Sequence, residues 1–200
     1  MKKNAIIIAI LIILVIAASY LFFKNYRQKA EPGHIATVET NKGTFQFKTY
    51  DSDAPKTVQN FIALAEKGFY NNLTFHRVVR GFVIQGGDPN CSSPKNSGLC
   101  GTGGPGYAFE DELNPNAASY KAGYKKGVVA MANSGPDTNG SQFFIMLADN
   151  PNLPNNYTIF GKIIKGQEIV DIIGAAPVDR NDRPTEPIII KSISFQLESF

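Results

Sequence analysis

The chain opens on an unbroken apolar run, AIIIAILIILVIAASYLFF at residues 5–23, before any periodic pattern begins. About 19 uncharged positions at 1.5 Å rise per residue span a hydrocarbon core of roughly 30 Å, so the run predicts a transmembrane helix. The next stretch, KNYRQKAEPG at 24–33, is charged, ends on Pro-Gly and reads as a linker. Alternation then takes over. IATVETNKGTFQFKTY alternates apolar and polar residues on either side of Asn41, Lys42 and Gly43, which predicts a hairpin with a short turn. After Pro55 the period changes, with Val58, Phe61, Ile62 and Ala65 at i, i+3, i+4 and i+7, and this amphipathic helix ends at Gly68. Residues 73–79 and 82–86 are strand-like, and 88–120 are rich in loop residues. GVVAMA, SQFFIML and YTIFGKI read as strands, GQEIVDIIG as a second helix, and PIIIKSISFQL as a closing strand.

About eight short strands with two helices predict a mainly β fold: a closed eight-stranded antiparallel β-barrel capped by two α-helices, preceded by an N-terminal transmembrane helix. The expected division is a tail at 1–4, the membrane segment at 5–23, the linker at 24–33 and one folded domain at 34–200.

Charge sharpens this picture. The net +3 of the whole chain arises before residue 31, where five basic residues stand without an acid; from residue 31 onward 15 basic residues face 17 acidic ones. A nucleic-acid binder needs a basic face on its folded part, and this one has none to offer. Lys2 and Lys3 precede the apolar run, and Ala17 and Ser19 resemble a cleavage site, so a cleaved signal peptide competes with an uncleaved anchor. The apolar stretch continues through Tyr20, Leu21, Phe22 and Phe23, beyond that site, which favours the anchor. The expectation is a single-pass membrane protein with its domain outside the cytoplasm, the alternative being secretion after cleavage.

Cys91 and Cys100 bracket the polar insert SSPKNSGL. A disulfide there would close a short loop, stabilising by about 2–4 kcal/mol; two free thiols are the alternative. A metal site wants His or further Cys close by in sequence, and neither is present, so no metal or other cofactor is expected.

Several motifs fail on context. GTGGPG at 101–106 matches G-x-G-x-x-G, but it follows a cysteine loop and contains Pro105, where a dinucleotide loop would leave a strand and open a helix. His76 and Ser141 offer a base and a nucleophile, yet Ser141 lacks a G-x-S-x-G setting and the other histidine, His34, falls in the linker.

The residue that demands an explanation is Arg77, in FHRVVRGFVIQGGD. A guanidinium on a buried strand must be paired, bind an anion or donate to a substrate, because stranding its charge costs several kcal/mol. Phe82, Val83, Met131, Phe144 and Leu153 supply an apolar pocket for it to border, while Gln85 and Gln142 can steer it without cancelling its charge. Such a site has no evident nucleophile, base or metal, so its chemistry must be electrostatic.

FHRVVRGFVIQGGD, GVVAMANSGPDTNGSQFFIML and YTIFGKI, in this order and spacing, resemble the cyclophilin-type peptidyl-prolyl cis-trans isomerases over roughly residues 34–198. The resemblance implies that Arg77 is the catalytic arginine and that Phe82, Val83, Phe144 and Leu153 form the proline pocket. It also implies that Gln85 orients Arg77, that Asn133 holds the substrate backbone, and that Ala132, Ser134 and Gln142 line the groove. Tyr157 stands where many members have His. The frequent tryptophan before the pocket leucine is absent, Asn152 standing there. The implied partners are proline-containing polypeptides, unfolded or exported proteins among them, handled by a monomer; a non-catalytic proline-peptide-binding scaffold is the alternative.

Overall fold

The computed structural model describes residues 15–17, 19, 33–92 and 98–198. Contacts divide the chain into two units, Met1–Glu31 and Pro32–Phe200. In the first unit Val15, Ile16, Ala17 and Ser19 are helical and exposed. The rest of the span expected over 5–23, the tail at 1–4 and the linker up to residue 32 lie outside the described residues. Among the described residues no helix is long and apolar enough to cross a membrane.

The second unit is built on eight antiparallel strands: β1 (His34–Thr40), β2 (Gly43–Thr49), β3 (Phe75–Val79), β4 (Val83–Gly86), β5 (Val128–Met131), β6 (Phe143–Met146), β7 (Ile159–Lys165) and β8 (Ile190–Leu197). They lie in the order β3-β4-β6-β5-β7-β2-β1-β8. The expected hairpin is β1–β2, with Thr40 opposite Gly43 and the Thr40 hydroxyl donating to the Gly43 carbonyl at 2.7 Å. His34, the first residue after the expected linker at 24–33, opens β1.

The barrel is not closed. The sheet is a curled half-barrel whose edge strands, β3 and β8, share no continuous ladder. A bridge between Thr74 and Ile189 and single hydrogen bonds, such as Phe75 N–H to the Ile188 carbonyl at 2.9 Å, stitch the seam. The Thr74 N–H turns away from this seam, to the Cys91 carbonyl at 2.9 Å.

Three helices are described in this unit, where two were expected: α1 (Pro55–Glu66), α2 (Ala118–Ala122) and α3 (Gln167–Gly174). The short α2 lies in the stretch read as loop, since five residues are too few to show a helical period. At the start of α1, Pro55 needs no N–H partner and the Glu112 carboxylate accepts from the Lys56 and Thr57 N–H groups at 3.1 and 2.9 Å.

Alternation along the strands sorts apolar side chains onto two faces. Val129, Met131, Phe143 and Ile145 join the main core with Phe45, Phe47 and Phe61, while Val128, Ala130, Phe144 and Met146 form a second cluster on the other face. Phe61, fully buried on α1, lies with its ring centroid 4.8–6.0 Å from those of Tyr70, Phe160, Phe143, Phe47 and Phe195. Replacing it removes shared contacts that no single neighbour can refill. Phe61→Ala should lower the unfolding free energy by about 3–5 kcal/mol in urea titrations; a loss near that of an exposed substitution would place the core elsewhere.

Candidate active site

Period-two alternation in β3 would put Arg77 on the same face as Phe75, inside the main core. A bulge prevents this. Phe75 pairs with Gly86 but Arg77 pairs with Gln85, leaving His76 as one extra residue in β3. A single inserted residue inverts the face of everything after it, so Val78 follows Phe75 into the core and Arg77 turns outward beside Gln85.

On that outer face Arg77, Phe82, Val83, Gln85, Ala132, Asn133, Phe144, Leu153 and Tyr157 line a pocket of about 180 Å³. Phe144 and Val83 are its buried apolar floor, and the Tyr157 ring stands edge-on to Phe144 with centroids 5.4 Å apart. Tyr157 is held through its backbone: its N–H donates to the Tyr124 hydroxyl at 3.0 Å, and that hydroxyl donates to the Tyr157 carbonyl at 2.8 Å. Burial pushes the Tyr124 hydroxyl up to about 12, so it keeps the proton it donates. Nothing in the sequence marks Tyr124 for this role.

A second pocket, of about 240 Å³, shares Gln85, Ala132 and Asn133 with the first and is walled by Gln142, Ser134 and residues of the 101–104 loop. Asn133 is braced by its side-chain N–H donating to the Asn156 carbonyl at 2.9 Å. Eleven of the twelve expected site residues therefore line these two adjoining pockets. Met131 does not: fully buried, it points into the main core, because Ala130 and Ala132 take the alternate positions on the pocket side.

The guanidinium is held mainly by neutral groups. Arg77 Nη1 donates to Gln85 Oε1 at 3.3 Å, and Gln85 Nε2 donates to Gln142 Oε1 at 2.9 Å. One carboxylate approaches that sequence reading did not anticipate. Asp182 Oδ2 lies 3.9 Å from Arg77 Nε, with the two side chains 46% and 43% exposed. At that separation and exposure the pair is weak. Asp182 stands 105 positions along the chain, in the loop before β8, where no local pattern could point to it.

Cys91 and Cys100 are joined in a disulfide. His76, distant from them in sequence, has a ring nitrogen within 4.8 Å of both sulfurs. Bonded to each other, the sulfurs offer no thiolate, and the trio is not a ligand set in this state. Ser141 is fully buried with its hydroxyl donating to the Gly87 carbonyl at 2.7 Å, a structural bond that leaves it no role as a nucleophile. The GTGGPG loop serves a protein carboxylate: Gly101 and Gly103 N–H groups donate to Asp88 Oδ2 at 2.6 and 2.9 Å.

The chain is similar to several known proteins. The family model described as cyclophilin type peptidyl-prolyl cis-trans isomerase/CLD matches residues 35–195. A peptidyl-prolyl cis-trans isomerase-like 1 of Neurospora crassa is 46% identical over 156 residues, covering 78% of this chain and 90% of that protein. Peptidyl-prolyl cis-trans isomerase A of Mycobacterium tuberculosis is 42% identical over 176 residues, covering 80% and 90%. Among solved structures, a Cryptosporidium parvum cyclophilin type isomerase superposes with a TM-score of 0.73 at 36% identity, covering 84% of this chain and 100% of that one. The same protein in the presence of the dipeptide Ala-Pro gives a TM-score of 0.71 at 37% identity, covering 83% and 99%.

The bulge residue itself generates a pH prediction. Burial lowers the His76 pKa below its ordinary 6.5, with Asp88 pulling it up and Arg183 and Arg77 pushing it down. Below pH 6.5 the unfolded chain therefore binds a proton that the folded one resists, and stability falls as pH falls through that window. Urea unfolding between about pH 7.5 and about pH 5.5 should show this loss in the wild type and a smaller one in His76→Gln; identical slopes would contradict the assignment.

Proposed function

The chain belongs to the cyclophilin-type peptidyl-prolyl cis-trans isomerases, and from that premise we propose that it turns X-Pro bonds by holding the proline ring in the apolar pocket while Arg77 stabilises the twisted amide. The carrying observation is a guanidinium at the rim of a pocket floored by Phe144 and Val83, hydrogen-bonded to an uncharged amide.

The physical argument runs through amide resonance. Rotation about the bond faces a barrier near ~20 kcal/mol because it breaks the partial C–N double bond, and it takes about tens of seconds or longer uncatalysed. In the perpendicular state the proline nitrogen is pyramidal and carries a lone pair that the planar ground state delocalises. A donor aimed at that nitrogen therefore gains strength as the barrier is climbed, which is the requirement for catalysis. Arginine suits the task because it stays protonated and its planar fork can be fixed by neighbours. The ring of the substrate proline is gripped by Phe82, Phe144, Leu153 and Tyr157, and the flanking polypeptide follows the adjoining pocket past Asn133 and Gln142.

The same reading includes the cell's use of the enzyme. An apolar run at 5–23 with basic residues on both sides supports a membrane tether, and a disulfide persists outside the reducing cytosol. We place the isomerase unit on the extracytoplasmic side, acting on exported chains as they fold. Mass spectrometry of the mature N-terminus tests the tether: a start near residue 20 would replace it with secretion.

In a proline-peptide isomerisation assay on the full chain, Arg77→Ala should lower kcat/KM by about 10²–10³, the scale for deleting one transition-state donor. Asp182→Asn should change it less than about fivefold, as an exposed pair contributes ~1 kcal/mol or less. The wild-type rate should be nearly flat from about pH 6 to about pH 9, since the guanidinium does not titrate there. Equal rates for Arg77→Ala and wild type would leave a proline-binding scaffold as the surviving reading.

A further inference from the structure

The chain of amides behind Arg77 ends on a buried acid. Asp88 is fully buried, and among the described residues no lysine or arginine forms an ion pair with it. Its Oδ1 accepts the Asn90 N–H at 2.7 Å. Its Oδ2 accepts from Gly101 N–H at 2.6 Å, Gly103 N–H at 2.9 Å and Gln142 Nε2 at 3.2 Å. Every partner is a donor, so the group acts purely as an acceptor.

That fact, with the two carbonyls of the loop that Asp88 holds, fixes the direction of the whole relay. A glutamine amide has a donor end and an acceptor end, and isolated between other amides it can face either way. Gln142 cannot. Its Nε2 meets Asp88 and the carbonyls of Gly101 and Gly103, at 3.2 and 2.9 Å, all of them acceptors. Its Oε1 is thereby turned to Gln85, which must answer with its own Nε2, leaving Gln85 Oε1 to face the guanidinium. Reversing Gln142 would set its oxygen against three acceptors; reversing Gln85 would set an amide N–H₂ against Arg77.

The acceptors stay in place because the loop carrying them is tied down. Cys100 directly precedes Gly101, its disulfide reaches Cys91, and the Cys91 N–H donates to the Asp88 carbonyl at 3.0 Å. Packing is close: a Cβ on Gly103 would lie 2.2 Å from Asp88 Oδ1. Resting on the reading of Arg77 given above, we propose that Asp88 is a positioning residue for the isomerase reaction: it sets the hydrogen-bond polarity of Gln142 and Gln85 so that an acceptor always faces Arg77, and the Cys91–Cys100 staple holds the loop that completes its cradle. The loop carrying Gly101 and Gly103 thus has a part in catalysis although none of the described side chains of residues 98–104 lines the pocket that Arg77 borders.

A double-mutant cycle on the full chain tests this, with kcat and KM read separately on a proline peptide. Asp88→Asn sets a donor among the N–H groups of this cradle and loosens the loop whose Gly101 and Gly103 carbonyls also hold Gln142; kcat should fall by about 10-fold to 10²-fold, the scale of a misplaced catalytic group, with KM changed far less. In an Arg77→Ala background the same substitution should cost nothing further. The pair Cys91→Ala with Cys100→Ala, which leaves Asp88 intact, should repeat the pattern more weakly and serves if Asp88→Asn does not fold. An unchanged kcat in both variants, or equal losses with and without Arg77, would overturn the proposal, the second marking a general loss of structure. If Arg77→Ala itself leaves kcat intact, it is the reading of Arg77 that fails.

Discussion

One extra residue in one strand decides which way Arg77 faces. Without the bulge at His76, strict alternation would send Arg77 into a core of phenylalanines and isoleucines, where its charge would have no partner. With the bulge, the same short strand delivers Phe75 and Val78 inward and Arg77 outward onto the face where Phe82, Val83 and Phe144 make a pocket. The strand order then matters in a specific way: β4, next to β3, and β6, next to β4, supply Gln85 and Phe144 as directly opposed partners in the ladder. Arg77, the Gln85 amide it is hydrogen-bonded to and the apolar floor thus come from three successive strands of one sheet, which holds geometry better than loops do.

The electrostatics follow from how that cation is held. Pairing Arg77 tightly with a carboxylate would satisfy it and blunt its field; leaving it free would let it wander in water. The structure takes a middle course, with Gln85 at 3.3 Å and the Asp182 carboxylate only at 3.9 Å on a half-exposed flank. The negative charge that anchors the arrangement sits two amides away, at Asp88, buried among N–H donors. Hydrogen-bond polarity carries its orienting effect through Gln142 and Gln85.

Much of this was legible in the sequence because it is local. The hairpin around Asn41 to Gly43, the helix face through Val58 and Phe61, and the strands around VVAM and FFIM are periodic patterns of neighbouring residues. The cysteine pair, too, announced itself by a polar loop between its members. What escaped is non-local or a matter of register. Met131 sits among pocket residues in sequence, but a single step along β5 separates the core face from the pocket face. Asp182 and Tyr124 reach the site across long separations. The bulge leaves no compositional mark, so strand alternation alone does not tell which face Arg77 takes, and only the pairing with β4 does. Strand count alone does not reveal that β3 and β8 meet only through an isolated bridge and single hydrogen bonds, so it predicts a closure that the sheet lacks.

The account's central claim is that the Arg77 charge acts on the twisted amide and not on the resting substrate. Exchange NMR on a bound proline peptide separates the two, giving the dissociation constant and the on-enzyme cis–trans rate in one experiment. Arg77→Gln keeps a donor in place but removes the charge. The account predicts a dissociation constant within a few-fold of wild type and an on-enzyme rate reduced by about 10² or more. Weakened binding with an unchanged rate on the enzyme would show that Arg77 only holds the substrate, and the mechanism would be contradicted.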